Sequence, residues 1–233
     1  MTHKDIYTKY MIEYDKANVT SSYPSLTEYE VATILDKSYL ALIGQKFTGN
    51  NARRTSFEYD NKAIADIQPL IDTKGIELSE STNYEASNVV CGALPEHMMY
   101  YVNSKLKQGL DNPMDNYKER LLPVKLVTHD MAEKFFVTPY NMPWIKNPVA
   151  FIENNTIFVV YDPNNKPNLD TINISYIKEP VKFVDCLDDK DTTEFELSDQ
   201  MAEELISLAI AFALENVESP RLNTKLNMRG LEA

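Results

Sequence analysis

His129-Asp130 sets an imidazole beside a carboxylate, a pairing that can tune a general base or complete a metal site. Either chemistry needs partners. His3 and His97 have no histidine four residues away, and Thr128-His129-Asp130 opens a short helix, where capping and first-turn acidity explain the dipeptide without chemistry. Asp185, Asp188, Asp189 and Asp191 form an acidic loop ahead of the last helix. The spacing lacks the glycine and distal glutamate of an EF-hand, so the loop reads as solvated rather than as a calcium site. No GxxxxGK[ST], GxGxxG, GxSxG or HExxH motif occurs, and six glycines leave little for a phosphate loop. The expectation is a protein without catalytic residues, cofactor or metal.

What remains is contact chemistry. Arg53-Arg54 is the densest basic spot; it suits ordinary ion pairing in an acidic protein, with a clamp on acidic side chains across a subunit interface as the alternative. Tyrosine occurs 14 times, and Tyr140, Met142 and the single tryptophan, Trp144, fall in a proline-stiffened loop. Such side chains bring large contact area at low entropic cost, which makes this loop the best partner-facing anchor, with core packing as the alternative. Arg221 and Leu222 open a C-terminal stretch with few apolar residues, read as an extended tail free to reach another subunit.

The chain has 233 residues, of which 43% are hydrophobic, enough for one large or two small domains with a real core. Its longest mainly apolar run, Leu205 to Leu214, is too short to span a bilayer, and the polar start MTHKDIYTKY has no secretory pattern, so a soluble protein without membrane association is expected. Cys91 and Cys186 lie far apart without metal-ligand spacing and read as buried or half-buried thiols rather than a disulfide. The net charge of −12 opposes a grip on phosphate backbones; it would keep passing DNA from sticking.

These residues are carried by elements legible in part from periodicity. Ile6, Tyr7, Tyr10, Met11 and Tyr14 form one face of a first helix. Ser25 with Glu28 suggests a capping box for a second helix that runs to about Phe47 and stops at Gly49. Thr55 with Glu58 repeats the cap, and Ala63, Ile64, Ile67, Leu70 and Ile71 make the stripe of a third helix that Pro69 kinks or ends. From Gly75 the period turns to alternation, clearest in Met98 to Lys107 and Thr171 to Lys178. Asn154-Asn155 between two apolar runs predicts a type I′ hairpin, and Ser198 to Val217 an amphipathic acidic helix stopped by Pro220. The expected fold class is α+β, with N- and C-terminal helices forming a bundle around an inserted central antiparallel β domain. The expected divisions are 1–75 helical, 76–190 β-rich, 191–220 a C-terminal helix packing on the N-terminal helices, and 221–233 an extended tail.

The order of segments resembles a known family. YPSLTEYEVATILDKSYLALIGQKFTGNNARR, VTHDMAEKFFVTPYNMPWIKNPVAFIENNTIFVVYD, INISYIKEPVKF and ELSDQMAEELISLAIAFALENVESPRL together look like the head-to-tail adaptor, or neck ring, proteins of tailed bacteriophages. The similarity is nearest to ring or tail-hub proteins of crAss-like podoviruses. In such families a strand ending in a Tyr-Ile-basic-x-Pro string, here Tyr176-Ile177-Lys178-Glu179-Pro180, precedes a helix with an acidic start, here Leu197 to Val217. The resemblance implies a virion structural protein of the portal vertex, assembled in the host cytoplasm. It would be a homo-oligomeric ring, usually twelvefold, touching the portal and other neck or tail rings, with genomic DNA only passing through its lumen. The family brings no catalytic residues. Other tail or baseplate components, and a non-viral protein-interaction module, share the same signals; a hydrolase or lyase would instead need paired carboxylates in a concave pocket.

Overall fold

The computed structural model describes residues 1–17, 26–49, 58, 61–81, 84, 88–109, 119–137, 143, 147–162, 168–186, 193–216, 222 and 226. They divide into two compact units, Met1–Leu70 together with Pro180–Ala233, and Ile71–Glu179.

In the first unit, α1 (His3–Ala17) buries Ile6, Tyr10 and Tyr14, one side chain per turn as their spacing predicts. Helix α2 (Glu28–Thr48) starts two residues later than the Ser25/Glu28 pattern suggested. Thr27 is the cap, in extended conformation. Its hydroxyl accepts from the Glu30 N–H, and the Glu30 carboxylate accepts from the Thr27 N–H at 2.7 Å. The Thr27-x-x-Glu30 string satisfies the same rule as Ser25-x-x-Glu28. Gly49 ends α2 at φ 74°, the left-handed conformation that glycine adopts without a Cβ penalty.

Helix α3 (Asn61–Ile67) tightens into a 3-10 turn at Gln68–Leu70 around Pro69, and a strand begins at once. Ile71 therefore belongs to that strand and not to the helical stripe. Helix α5 (Asp199–Asn216) also departs from expectation. Between Leu205 and Leu214 every residue is buried except the half-buried Phe212, so this is a core helix with acidic ends rather than one with a single apolar face. Both α2 and α1 pack against it.

The second unit is a sheet of eight strands: β1 (Ile71–Glu77), β2 (Ser79–Glu80), β3 (Val89–Ala93), β4 (Met98–Gly109), β5 (Glu119–Leu126), β6 (Val149–Glu153), β7 (Thr156–Val160) and β8 (Asn168–Lys178). Their order is β1-β8-β4-β5-β6-β7-β3-β2. Helix α4 (His129–Val137) lies in the connection from β5 to β6. The Asn154-Asn155 turn has φ 48° and 59°, the paired positive values of a type I′ hairpin, and it sets Phe151 opposite Phe158.

Alternation along each strand splits the side chains between two apolar layers. Ile76, Val90, Leu106, Val124, Ala150, Ile157, Val159, Ile172 and Ile174 form the inner core, drawn from seven strands. Val89, Val149, Phe151, Phe158 and Val160 face the other way, beneath Ala132 and Phe135 of α4 and Tyr84. Hence β3, β6 and β7 are apolar on both faces, as strands covered on both sides must be. The sheet curls enough to bring β1 over β3: a Cβ at Gly92 would stand 2.7 Å from Ile76 Cγ2 and 3.1 Å from the Glu77 carbonyl oxygen. Glycine is what permits that approach.

This architecture corrects the expected one. The fold is α+β, but its helices are not an N- and C-terminal bundle around an inserted antiparallel domain. Helix α4 belongs to the sheet unit, and α5 is the buried hub of the other. The sheet is mixed, because β5 and β6 pair in parallel through Lys125–Val149 and Leu126–Ala150. Parallel neighbours require a long crossover rather than a tight turn, and the α4 connection supplies it.

Candidate functional site

Four charged side chains are linked where α2, α3 and α5 meet. Lys46 Nζ stands 3.0 Å from Asp66 Oδ2 and 2.8 Å from Glu204 Oε2, while Lys62 reaches the other Glu204 oxygen at 3.4 Å. Position decides what this group can do. Lys46 and Asp66 are largely buried, and burial alone would pull the Lys46 ammonium down toward neutrality. The hydrogen bonds and charges of Glu204 and Asp66 outweigh it, so its pKa lies above that of an ordinary lysine. A lysine acting as nucleophile or base needs the opposite shift. The arrangement therefore acts as a clamp that ties three helices together.

A second group surrounds the segment after β8. Asp36 of α2 accepts the backbone N–H groups of Phe183 at 2.6 Å and Val184 at 3.3 Å, satisfying the first donors of the 3-10 helix Phe183–Cys186. Burial raises the Asp36 carboxyl above the usual range, against the pull of those two hydrogen bonds. Phe183 packs edge-on against His3, at 4.6 Å between ring centroids, and Tyr39 leans on Phe195 at 5.1 Å. His3 Nδ1 lies 3.1 Å from the Thr193 carbonyl oxygen. His3 Nε2 and the hydroxyls of Tyr39 and Tyr10 are buried without a hydrogen-bond partner among the described residues. Burial raises both phenol pKa values, so neither tyrosine ionises at neutral pH.

Of the residues singled out from sequence, those that fall among the described residues are not brought together. His129 and Asp130 are exposed in the first turn of α4, where His129 meets the Phe151 ring edge at 5.7 Å. Asp185 is exposed in the 3-10 helix; Asp188, Asp189 and Asp191 lie outside the described residues. So do Tyr140, Met142, Trp144, Arg53, Arg54 and Arg221, while Pro143 is buried and Leu222 half-buried. Cys91 and Cys186 are half-buried and form no disulfide. Among the described residues no three His, Cys, Asp or Glu side chains stand close enough to hold a metal ion, and no helix is long and apolar enough to cross a membrane.

Sequence reasoning missed both the Lys46 clamp and the Asp36 cap. Each joins residues far apart in the chain, and neither has a local signature. No protein-family model matches this chain, and no curated protein matches it.

Proposed function

We propose that this protein is a non-enzymatic structural component of a bacteriophage virion, a multi-copy ring of the head-to-tail connector that lines the path of the exiting DNA. The observation that carries this reading is the segment order, from the YPSLTEYE helix to the Tyr176-Ile177-Lys178-Glu179-Pro180 string and the following helix, which resembles neck ring proteins over most of the chain. Physical features support it. The net charge of −12 suits a lumen that must not retain DNA. Tyr29 and Leu40, eleven residues apart on α2 and so on one side of it, are 62% and 44% exposed, which offers apolar area to a neighbour. In this reading the ring is twelvefold and sits between the portal and further neck or tail rings. Tyr140, Met142, Trp144, Arg53, Arg54, Arg221 and Leu222 supply its contacts.

Mass measurement of the purified protein over a wide concentration range tests the reading. A discrete assembly of many copies is expected; a monomer at every concentration would point to a simple interaction module instead.

A further inference from the structure

The outward face of β8, β4 and β5 differs in charge from the rest of the chain. Leu106 pairs with Ile172 and Leu122, and Ser104 with Ile174 and Val124, all on the inner face. The intervening residues therefore point outward: Asn103, Lys105 and Lys107 on β4; Thr171, Asn173 and Ser175 on β8; Leu121, Pro123 and Lys125 on β5. These nine positions hold three lysines and no carboxylate, in a protein where acidic residues outnumber basic ones 35 to 23; exposed Glu77 of β1, opposite Thr171, and Glu119, in the β5 ladder opposite Gly109, flank them. Lys105 and Lys125 are exposed, and Leu121, beside Lys107 in the ladder, is 59% exposed. An exposed leucine among lysine stems and short polar groups has the composition of a contact surface: an apolar centre with a charged rim.

We infer that this lysine face docks on the acidic helical unit of a second copy of the chain. The inference rests on the multi-copy reading above and names one of its contact surfaces. Charge decides the occupant. Residues 1–70 and 180–233 hold 21 Asp and Glu against 13 Lys and Arg; Glu28 and Glu215 are exposed on its helices, as are Glu30, Asp199 and Glu203, which are engaged by Thr27, the N-terminal ammonium and Lys9. A copy of the chain therefore carries the complementary charge. A phosphate backbone offers nothing apolar to cover Leu121, whereas the helical unit of a copy exposes Tyr29 and Leu40 beside its carboxylates. Two different patches meeting head to tail is the kind of contact that generates rings.

The test compares wild type with Lys105→Glu/Lys125→Glu by sedimentation velocity from low to high salt. Selective lysine acetylation read by mass spectrometry is applied to assembled and dilute wild-type protein. The expected result is at least about tenfold weaker association in the variant and in high salt. Protection of Lys105 and Lys125 in the assembly is also expected, a readout that does not depend on the variant folding. Wild type that assembles while the variant assembles equally, with both lysines equally modified, would overturn the lysine face and leave the ring reading standing. Wild type that stays monomeric would overturn both. Tight binding of fluorescein-labelled duplex DNA, lost in the variant, would assign the face to nucleic acid and overturn the proposal.

Discussion

The Asp36 carboxylate of α2 holds the backbone N–H of Phe183 at 2.6 Å, joining a helix near the start of the chain to the segment that follows the sheet. Val184 donates to the same carboxylate. This contact fixes where Phe183 sits, and Phe183 in turn packs against His3 and Tyr39.

Asp36→Ala leaves two partly buried donors without an acceptor and should lower unfolding stability by about 1–3 kcal/mol, with Asp36→Asn losing less. The pH dependence has a definite sign. Burial raises the folded-state pKa of Asp36 above its ordinary 3.8, so the folded state binds this proton more readily than the unfolded chain. Its contribution is fully present below that ordinary value and is lost as pH rises through the raised one. Urea denaturation at mildly acidic and neutral pH should show wild type gaining on Asp36→Asn as pH falls. A constant difference would mean that Asp36 does not titrate as its surroundings dictate.

Lys46→Met removes the cation between Asp66 and Glu204 and should destabilise the protein by roughly 2–4 kcal/mol, since the largely buried Asp66 loses this ion pair and Glu204 is left with the longer one to Lys62. Adding Asp66→Asn and Glu204→Gln should recover part of the loss. Because the Lys46 pKa is raised, its stabilisation is present below the ordinary 10.5 and lost as pH rises through the higher folded value. Wild type should thus lose stability at strongly alkaline pH more steeply than Lys46→Met, as measured by chemical denaturation.

Gly92→Ala would force its new methyl to within 2.7 Å of Ile76 and should cost about 1–3 kcal/mol, read as a lowered melting temperature. Ile76→Ala, which removes the clashing Cγ2, should cost less in the Gly92→Ala background than in wild type. A neutral Gly92→Ala would contradict the close passage of β1 over β3.

Trp144 is the single tryptophan, so its fluorescence reports one site. As a contact anchor it should emit at long wavelength and be quenched by iodide in the isolated protomer, then become protected on assembly. Protected, blue-shifted emission in the protomer would place it in the core.

Legibility from sequence followed the range of the interactions involved. The hairpin could be read because Asn154 and Asn155 settle it with their own backbone preferences, and α1 because its stripe of Ile6, Tyr10 and Tyr14 is periodic. The start of α2 was misplaced because Ser25 and Thr27 each precede a glutamate by three residues; the pattern is degenerate. Strand β1 was concealed because it lies at the sheet's margin with four consecutive exposed residues, Asp72 to Gly75, and so shows little alternation. The uncharged run from Leu205 to Leu214 did carry the signal of a helix buried all round. The glutamates at its ends gave it an amphipathic appearance. Parallel pairing of β5 with β6, the Lys46 clamp and the Asp36 cap depend on residues that meet only after folding. Tyr140, Met142 and Trp144, expected from the sequence to form a contact element, lie outside the described residues.

Electron microscopy of the purified protein, alone and mixed with candidate portal and neck partners, tests the central claim most directly. Closed rings with a central hole wide enough for duplex DNA are expected, stacking on a partner ring when one is supplied. Particles that remain compact protomers under every condition, or assemble into forms without a central channel, would contradict it.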